Sequence, residues 1–344
     1  MRFGTVALVG RTNVGKSTFL NCALGEPLAI TSPLPQTTRD ALLGVAAHGD
    51  AQIAFLDTPG FHKPRTELGR RMNGAAFDSA RAADVLVFVT DAWSHAPKAL
   101  PPGSPLSTRP LENRWLRPGD REVLESLAEL SKTPVILVIN KVDLSKDKSL
   151  LLPMLEAYAA AANFAALVPT SFRRQDGVTA TLDEIRNQLS EGPPGYDADT
   201  LTNRPVLFFV REYVREAVLN QLTSEVPHAV AVSIDQADER PELLRLSATI
   251  HVEKVGQRKI VVGKAGERIK AIGIAARERI EQLVQKKVHL ELFVRITSEW
   301  KNMPRQLAEL GYDGGQFAVE DGQKFSAAFD DDEAFNTAPE EPKA

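Results

Sequence analysis

Gly10-Arg11-Thr12-Asn13-Val14-Gly15-Lys16-Ser17 has the form G-x4-G-K-S, and its surroundings decide how the first half of the chain is read. An apolar run, Thr5–Val9, leads into it, and a stretch of helix and packing character, Thr18-Phe19-Leu20-Asn21-Cys22-Ala23-Leu24, leads out. Strand, glycine-rich turn and helix in that order make a cradle for phosphates. The glycines let successive backbone N–H groups point inward, and the helix that begins there adds the positive end of its dipole. Lys16 can reach the β- and γ-phosphates, and the Ser17 hydroxyl can ligate Mg²⁺. With average residue usage the four fixed positions coincide by chance in about one chain of this length in 100. Nucleotide binding is therefore the favoured reading before any other residue is considered.

The 344 residues are 43% hydrophobic and 25% charged, an ordinary globular composition that suggests two or three domains, each with its own core. A net charge of −4 excludes a chain that binds polyanions through its overall charge, so any basic patch must be local. The single cysteine, Cys22, excludes an intrachain disulfide and a cysteine-rich zinc site, and reads as a small buried apolar residue. Six scattered histidines form no metal spacing. No signal peptide and no apolar run of transmembrane length is evident, so a soluble cytoplasmic protein is expected.

Five short apolar runs succeed one another: Thr5–Val9, Gln52–Leu56, Asp84–Thr90, Pro134–Ile139 and Ala165–Val168. Most are continuous rather than alternating, as in parallel strands covered on both faces. Helical patterns such as Asp120–Leu130 and Leu151–Ala161 lie between them. The alternation predicts an α/β domain with a mostly parallel sheet and helices on both faces, its ligand at the carboxyl ends of the strands. Polar motifs stand at those ends. After the second run comes Asp57-Thr58-Pro59-Gly60, where Asp57 can hold Mg²⁺ through water and the Gly60 N–H can touch a γ-phosphate. After the fourth comes Asn140-Lys141-Val142-Asp143. The Asp143 carboxylate can accept from both N1–H and the exocyclic amine of guanine, and adenine would leave it unpaired. Asn140 can brace the loop and the Lys141 stem can cover the base. After the fifth comes Thr170-Ser171-Phe172, where backbone N–H groups can meet guanine O6.

The order and strand-end placement of these four motifs resemble the small GTPases of the phosphate-loop class. The resemblance implies a switch loop whose threonine ligates Mg²⁺ when GTP is bound. Gln36-Thr37-Thr38-Arg39-Asp40 stands in the right interval, and the role falls to Thr38, with Thr37 as the fallback. It makes Lys16, Thr38 and Gly60 the catalytic set. GTP or GDP would be held by residues 10–18, 57–60, Asn140, Lys141, Asp143, Ser171 and Phe172, and Mg²⁺ by Ser17, Thr38 and Asp57. Phe61 stands where many such enzymes place a water-orienting Gln, so hydrolysis must use other means. In a subset of these GTPases an Asn in the position of Asn13 helps bind K⁺, which implies slow intrinsic hydrolysis stimulated by K⁺. Loop bracing is the competing role for Asn13. The Pro-rich stretch 93–118 is expected to be an inserted surface loop.

Glu191-Gly192-Pro193-Pro194-Gly195 breaks the pattern, and 191–203 reads as a linker after a first domain of residues 1–190. A helical pattern at Val206–Glu225 follows, then strand-like runs at Ala229–Ile234 and Leu246–Val252 and a strand edge at Lys259–Val262. Gly263-Lys264-Ala265-Gly266 then leads into a helix, Glu267–Val284, and a last strand, Val288–Ile296. A glycine-bracketed turn carrying a lysine at a helix start suits a phosphodiester backbone. Lys254–Lys287 holds 10 basic and 3 acidic residues, a local +7. Together these features resemble a type II KH domain, an α+β fold that clamps about four nucleotides of single-stranded RNA. The domain would span 204–312 and contact RNA through Gly263, Lys264, Ala265, Gly266, Arg268 and Lys270.

Over roughly residues 4–312 the two halves resemble the bacterial ribosome-assembly GTPases that carry a C-terminal KH domain. That resemblance implies a monomer that binds the 3′ end of 16S ribosomal RNA during maturation of the 30S subunit, with peripheral association at the inner membrane. Three departures are the Pro-rich insertion, Phe172 in place of a small residue, and an acidic tail, 313–344, with nine acidic and two basic residues. The tail is expected to be partly disordered. Trp300 reads as a core residue before a base-stacking one. A passive GTP-binding RNA scaffold, or another translation-related GTPase, stays open as an alternative.

Overall fold

The computed structural model describes residues 1–312 except 93–114, 129, 131, 146, 223 and 224. The acidic tail and most of the Pro-rich stretch thus lie outside the described residues. Of the latter, 115–118 are described, and Trp115, Leu116 and Arg117 are buried.

The first half is built on a six-stranded sheet of order β2-β3-β1-β4-β5-β6. Its strands are β1 (Arg2–Val9), β2 (Leu42–His48), β3 (Ala51–Asp57), β4 (Val85–Asp91), β5 (Val135–Asn140) and β6 (Ala166–Pro169). All neighbours pair parallel except β2, which runs antiparallel to β3. Successive side chains of a strand point to opposite faces, so Val6 and Leu8 enter one apolar cluster and Ala7 and Val9 another. The continuous apolar runs follow from this two-sided burial. Helices α1 (Lys16–Leu24), α2 (Glu67–Ala82), α3 (Pro118–Ala128), α4 (Leu151–Ala161) and α5 (Val178–Gln188) flank the sheet. The five predicted runs are five of the six strands. The sixth, β2, adds an edge from a segment, LLGVAAH, in which Val45 is the one β-branched residue, so its strand signal is weak.

The residues read as a linker lie along the sheet. Gln52 Oε1 accepts from the backbone N–H of Gly195 and Tyr196 at 2.9 and 3.0 Å, and Val45 N–H donates to the Leu201 carbonyl at 2.9 Å. The second half opens with α6 (Val206–Gln221) and continues with β7 (Ala231–Glu239), β8 (Leu243–Val252), α7 (Val255–Val262), α8 (Glu267–Val284) and β9 (Lys287–Ile296). Its sheet has the order β7-β8-β9, antiparallel then parallel. Residues 259–262, expected at a strand edge, are the end of α7. The side chain of Gln257 accepts from the backbone N–H of Glu253 and Lys254, and these two bonds fix a helix start that overrides the β-branched Ile260-Val261-Val262. A short α9 (Pro304–Glu309) follows. One apolar cluster runs without a break from Val6 and Phe19 through Phe209 and Val214 to Ile250 and Ile280, so the two halves share a core.

Candidate functional site

The phosphate loop lies between β1 and α1 and is shaped by its glycines. Gly10 and Gly15 have φ of 138° and 110°, and a Cβ on either would come within 2.2 Å of the Val89 carbonyl oxygen or of Asn140 Nδ2. No side chain caps the start of α1, so its first N–H groups remain for an anion. Lys16 is buried, and its ammonium donates to the carbonyls of Gly10 and Arg11 at 3.2 and 2.9 Å. Burial pulls its pKa down to about 8, against the opposing pull of the Asp57 charge. The cavity beneath the loop is about 60 Å³. Lys16 therefore lies folded over the place where phosphates would enter.

Ser17, Thr38 and Asp57 converge from three elements. Ser17 Oγ is 2.7 Å from Asp57 Oδ2 and 2.8 Å from Thr38 Oγ1, and Thr38 Oγ1 is 3.4 Å from the same carboxylate oxygen. Thr37 turns away and donates to the Leu34 carbonyl. Asp57 is fully buried, its other oxygen has no hydrogen-bond partner, and burial pushes its pKa up to about 6 despite Lys16 and the two hydroxyls. Three hard oxygen donors with one orphaned carboxylate oxygen fit a Mg²⁺ ion. Thr58 donates to the Leu8 carbonyl, and Phe61 N–H to the Gly10 carbonyl. A Cβ on Gly60 would meet Thr12 N at 2.5 Å, so this turn lies flat against the phosphate loop. The Phe61 ring packs on the apolar cluster. Asn13 Nδ2 donates to the Pro33 carbonyl, which joins the phosphate loop to the switch loop.

The base-reading loops are cross-braced. Asn140 Nδ2 donates to the Val14 carbonyl at 2.8 Å, and Asn140 Oδ1 accepts from Phe172 N–H at 3.1 Å. The Lys141 ammonium donates to the Asn13 carbonyl, and Ser171 Oγ to Asp143 Oδ1, both at 2.6 Å. The backbone N–H groups expected at guanine O6 are engaged within the protein here. The N–H groups of Thr170 and Ser171 are bonded to the Ile139 and Asp176 carbonyls, and that of Phe172 to Asn140. The Phe172 ring is buried against Phe19, 4.9 Å between centroids, which explains how a large residue fits here.

The second half grips the switch loop, which the sequence did not reveal. From α6, Arg215 donates to the Thr37 carbonyl, Arg211 pairs with Asp40 at 2.6 Å, and Glu216 accepts from Thr31 N–H at 2.9 Å. Arg39 is buried beside the rings of Trp300 and Tyr312, 5.6 and 5.9 Å from their centroids, and donates to the Val230 carbonyl. Trp300 is fully buried, so it is a core residue.

At the other end, Gly263, Ala265 and Gly266 have φ of 75°, 50° and 78°, and they turn the chain sharply between α7 and α8. No side chain caps α8. Lys264 and Lys270 are exposed, whereas Arg268 donates to the Ile260 carbonyl and so closes the turn. Beside the turn, Ile269, Lys270, Ile274 and Arg277 of α8 face Leu290 and Leu292 of β9 across a groove of about 410 Å³. Apolar floor, basic rim and exposed turn are what a single strand of nucleic acid requires.

Known proteins agree with this division. Residues 5–141 match the family model described as "50S ribosome-binding GTPase", and residues 225–301 match "KH domain". The chain is 38% identical over 311 residues to GTPase Era of Ruminiclostridium cellulolyticum, covering 90% of this chain and 97% of that one. It is 40% identical to GTPase Era of Lactobacillus delbrueckii subsp. bulgaricus, covering 90% and 96%. Among solved structures it is similar to a tyrosine-to-alanine variant of Aquifex aeolicus Era bound to GDP·AlF4⁻, and to Era in complex with MgGDPNP and nucleotides 1506–1542 of 16S ribosomal RNA. Each match has 33% identity and a TM-score of 0.82, and covers 91% of this chain and 99% of the other.

Proposed function

The chain belongs to the GTPase Era family, and from that premise we propose that it is a GTP-hydrolysing switch that binds the 3′ end of 16S ribosomal RNA and assists maturation of the 30S subunit. The observation that carries this reading is the match, over 91% of this chain, to an Era structure holding both a Mg²⁺-bound GTP analogue and that RNA. The description of the first family model names the large subunit. It covers only the first half, and the RNA-facing groove lies in the second, so the small subunit is preferred.

The chemistry follows from the cleft. Backbone N–H groups of residues 10–18 and the Lys16 ammonium hold the phosphates, with Lys16 leaving the two carbonyls that it now satisfies. Ser17, Thr38 and Asp57 would hold Mg²⁺, which when bound neutralises charge on the β- and γ-phosphate oxygens. Thr38 is the residue that senses the γ-phosphate, and Gly60 N–H is its counterpart from the other side. The Phe61 side chain cannot orient water, so positioning and charge neutralisation drive hydrolysis. Asn13 commits its amide nitrogen to Pro33, which leaves its oxygen for K⁺, and turnover is expected to be faster in K⁺ than in Na⁺. Asp143 reads the guanine edge. Because α6 bonds the Thr37 carbonyl and Asp40, an ordered switch loop and the placement of the KH half are one event. The groove between α8 and β9, with the turn 263–266 and Lys270, receives the RNA. Cytoplasmic residence with peripheral association at the inner membrane belongs to the same reading. No helix among the described residues is long and apolar enough to cross a membrane.

Phosphate release from GTP and from ATP, with and without an oligonucleotide of the 16S 3′ end, tests the proposal. GTP-selective turnover together with crosslinking to that strand is expected. Equal use of ATP, or crosslinking to transfer RNA only, would overturn it.

A further inference from the structure

Asp91 ends β4 and is almost fully buried, 6% exposed. It carries no role in the reading above, yet three cations from three different segments converge on it. Arg11 of the phosphate loop reaches Oδ1 at 3.2 Å, Lys141 of the base-reading loop reaches Oδ2 at 3.2 Å, and Arg117 reaches Oδ1 at 2.8 Å. Arg117 also donates to the Asp91 carbonyl at 3.1 Å. A second acid, Asp120 of α3, takes the other side of Arg11 at 2.7 Å. Asp120 is itself fixed by Thr90 at 2.8 Å and Tyr158 at 2.6 Å. Lys141, held by Asp91 on one side, donates to the Asn13 carbonyl at 2.6 Å on the other. The backbone runs in parallel: Ala92 N–H donates to the Asn140 carbonyl at 2.9 Å.

Asp91 thus supplies the negative charge between the segment that holds phosphates and the segment that holds the base. Among the described residues two carboxylates face three cations here, so removing Asp91 leaves Lys141 and Arg117 as neighbouring like charges in a largely buried place. Breaking a buried charge pair by removing one partner is strongly unfavourable, because the remaining charge is left uncompensated. The relief available to Lys141 is to swing into solvent, since its side chain is already 28% exposed. That movement abandons the Asn13 carbonyl and opens the wall of the purine slot.

We propose that Asp91 is a positioning residue for nucleotide retention, holding the Lys141 ammonium against the phosphate loop so that the charge on Asp91 sets the rate at which guanine nucleotide leaves. The inference deepens the reading of this cleft as a guanine-nucleotide site and rests on it. Arg117 belongs to the described end, 115–118, of the Pro-rich stretch, so the same carboxylate also ties that end to the cleft.

Release of a fluorescent GDP analogue from the full-length chain, by stopped flow, tests it. Asp91→Asn is expected to speed release about tenfold or more, with a much smaller change in turnover at saturating GTP. Asp91→Glu, which keeps the charge, is expected to restore most of the retention. The decisive readout is a double-mutant cycle with Lys141→Met: the effect of Asp91→Asn should largely vanish in that background. Release from Asp91→Asn within twofold of the parent, or two effects that multiply in full, would overturn the proposal. Should Asp91→Asn not fold, Lys141→Met alone carries the test: it is expected to speed release to a similar extent, and release within twofold of the parent would overturn the proposal. If the parent chain fails to bind the analogue at all, the nucleotide reading falls instead, so the two failures are distinguishable.

Discussion

Lys16 has its ammonium bent back onto two carbonyls of its own loop, buried and with its pKa lowered to about 8. A bound polyphosphate favours the charged form and raises that value again. Between the two values, binding takes up a proton, so affinity falls as pH rises. The dissociation constant for GDP, measured by titration from pH 7 to 9.5, is expected to be flat at first and to weaken above about pH 8. Lys16→Ala should abolish GTP and GDP binding while circular dichroism and RNA binding persist. Retained GTP affinity would end the assignment. Asp57 gives the opposite sign. Its pKa is raised to about 6, and only the carboxylate ligates a cation, so Mg²⁺ affinity is expected to fall as pH drops through 6. Calorimetric titration of Mg²⁺ into the GDP complex at pH 5.5 and 7.5 checks it. The motif residues were legible because their chemistry is local to a few positions. Arg39, Arg215 and Asp91 were not, because their partners lie far away in the chain: Arg39 with Val230, Arg215 with Thr37, and Asp91 with Arg11 and Lys141.

In the proposed reading, coupling and RNA contact depend on helix α6 and the turn 263–266. Arg215 on α6 is fully buried and bonds both Glu212 and the Thr37 carbonyl. Replacing it with Gln should loosen the switch loop while leaving the phosphate loop intact. The expected outcome is GTP hydrolysis slowed about tenfold with GDP affinity nearly unchanged, compared by single-turnover kinetics and titration. At the turn, a Cβ on Gly263 would meet Arg268 Cβ at 2.7 Å, in a backbone conformation with φ of 75°. Gly263→Ala is expected to cost about 1–3 kcal/mol in chemical denaturation and to weaken RNA binding without changing intrinsic GTP turnover. Strand and helix order were largely readable from periodicity. The exceptions have physical causes. LLGVAAH offers no alternation because β2 is buried over most of its length, and Ile260-Val261-Val262 reads as strand until the Gln257 side-chain bonds upstream are weighed.

Across the whole molecule, the shared apolar cluster joins the nucleotide-binding half to the KH half. One cooperative unfolding transition is therefore expected by calorimetry, with GDP shifting the signals of both halves together. Two separate transitions would show that the shared core contributes little. With the basic rim as the proposed RNA contact, RNA affinity is expected to fall steeply with added salt. The connector between the halves has a further consequence. Strand β2 is one of the two outermost strands of its sheet, and an outermost strand offers unpaired amides to any passing chain. Leu201 already occupies the amide of Val45 at the middle of that strand. The covalent tether between the halves thus also acts as a guard rail, discouraging strand-to-strand aggregation.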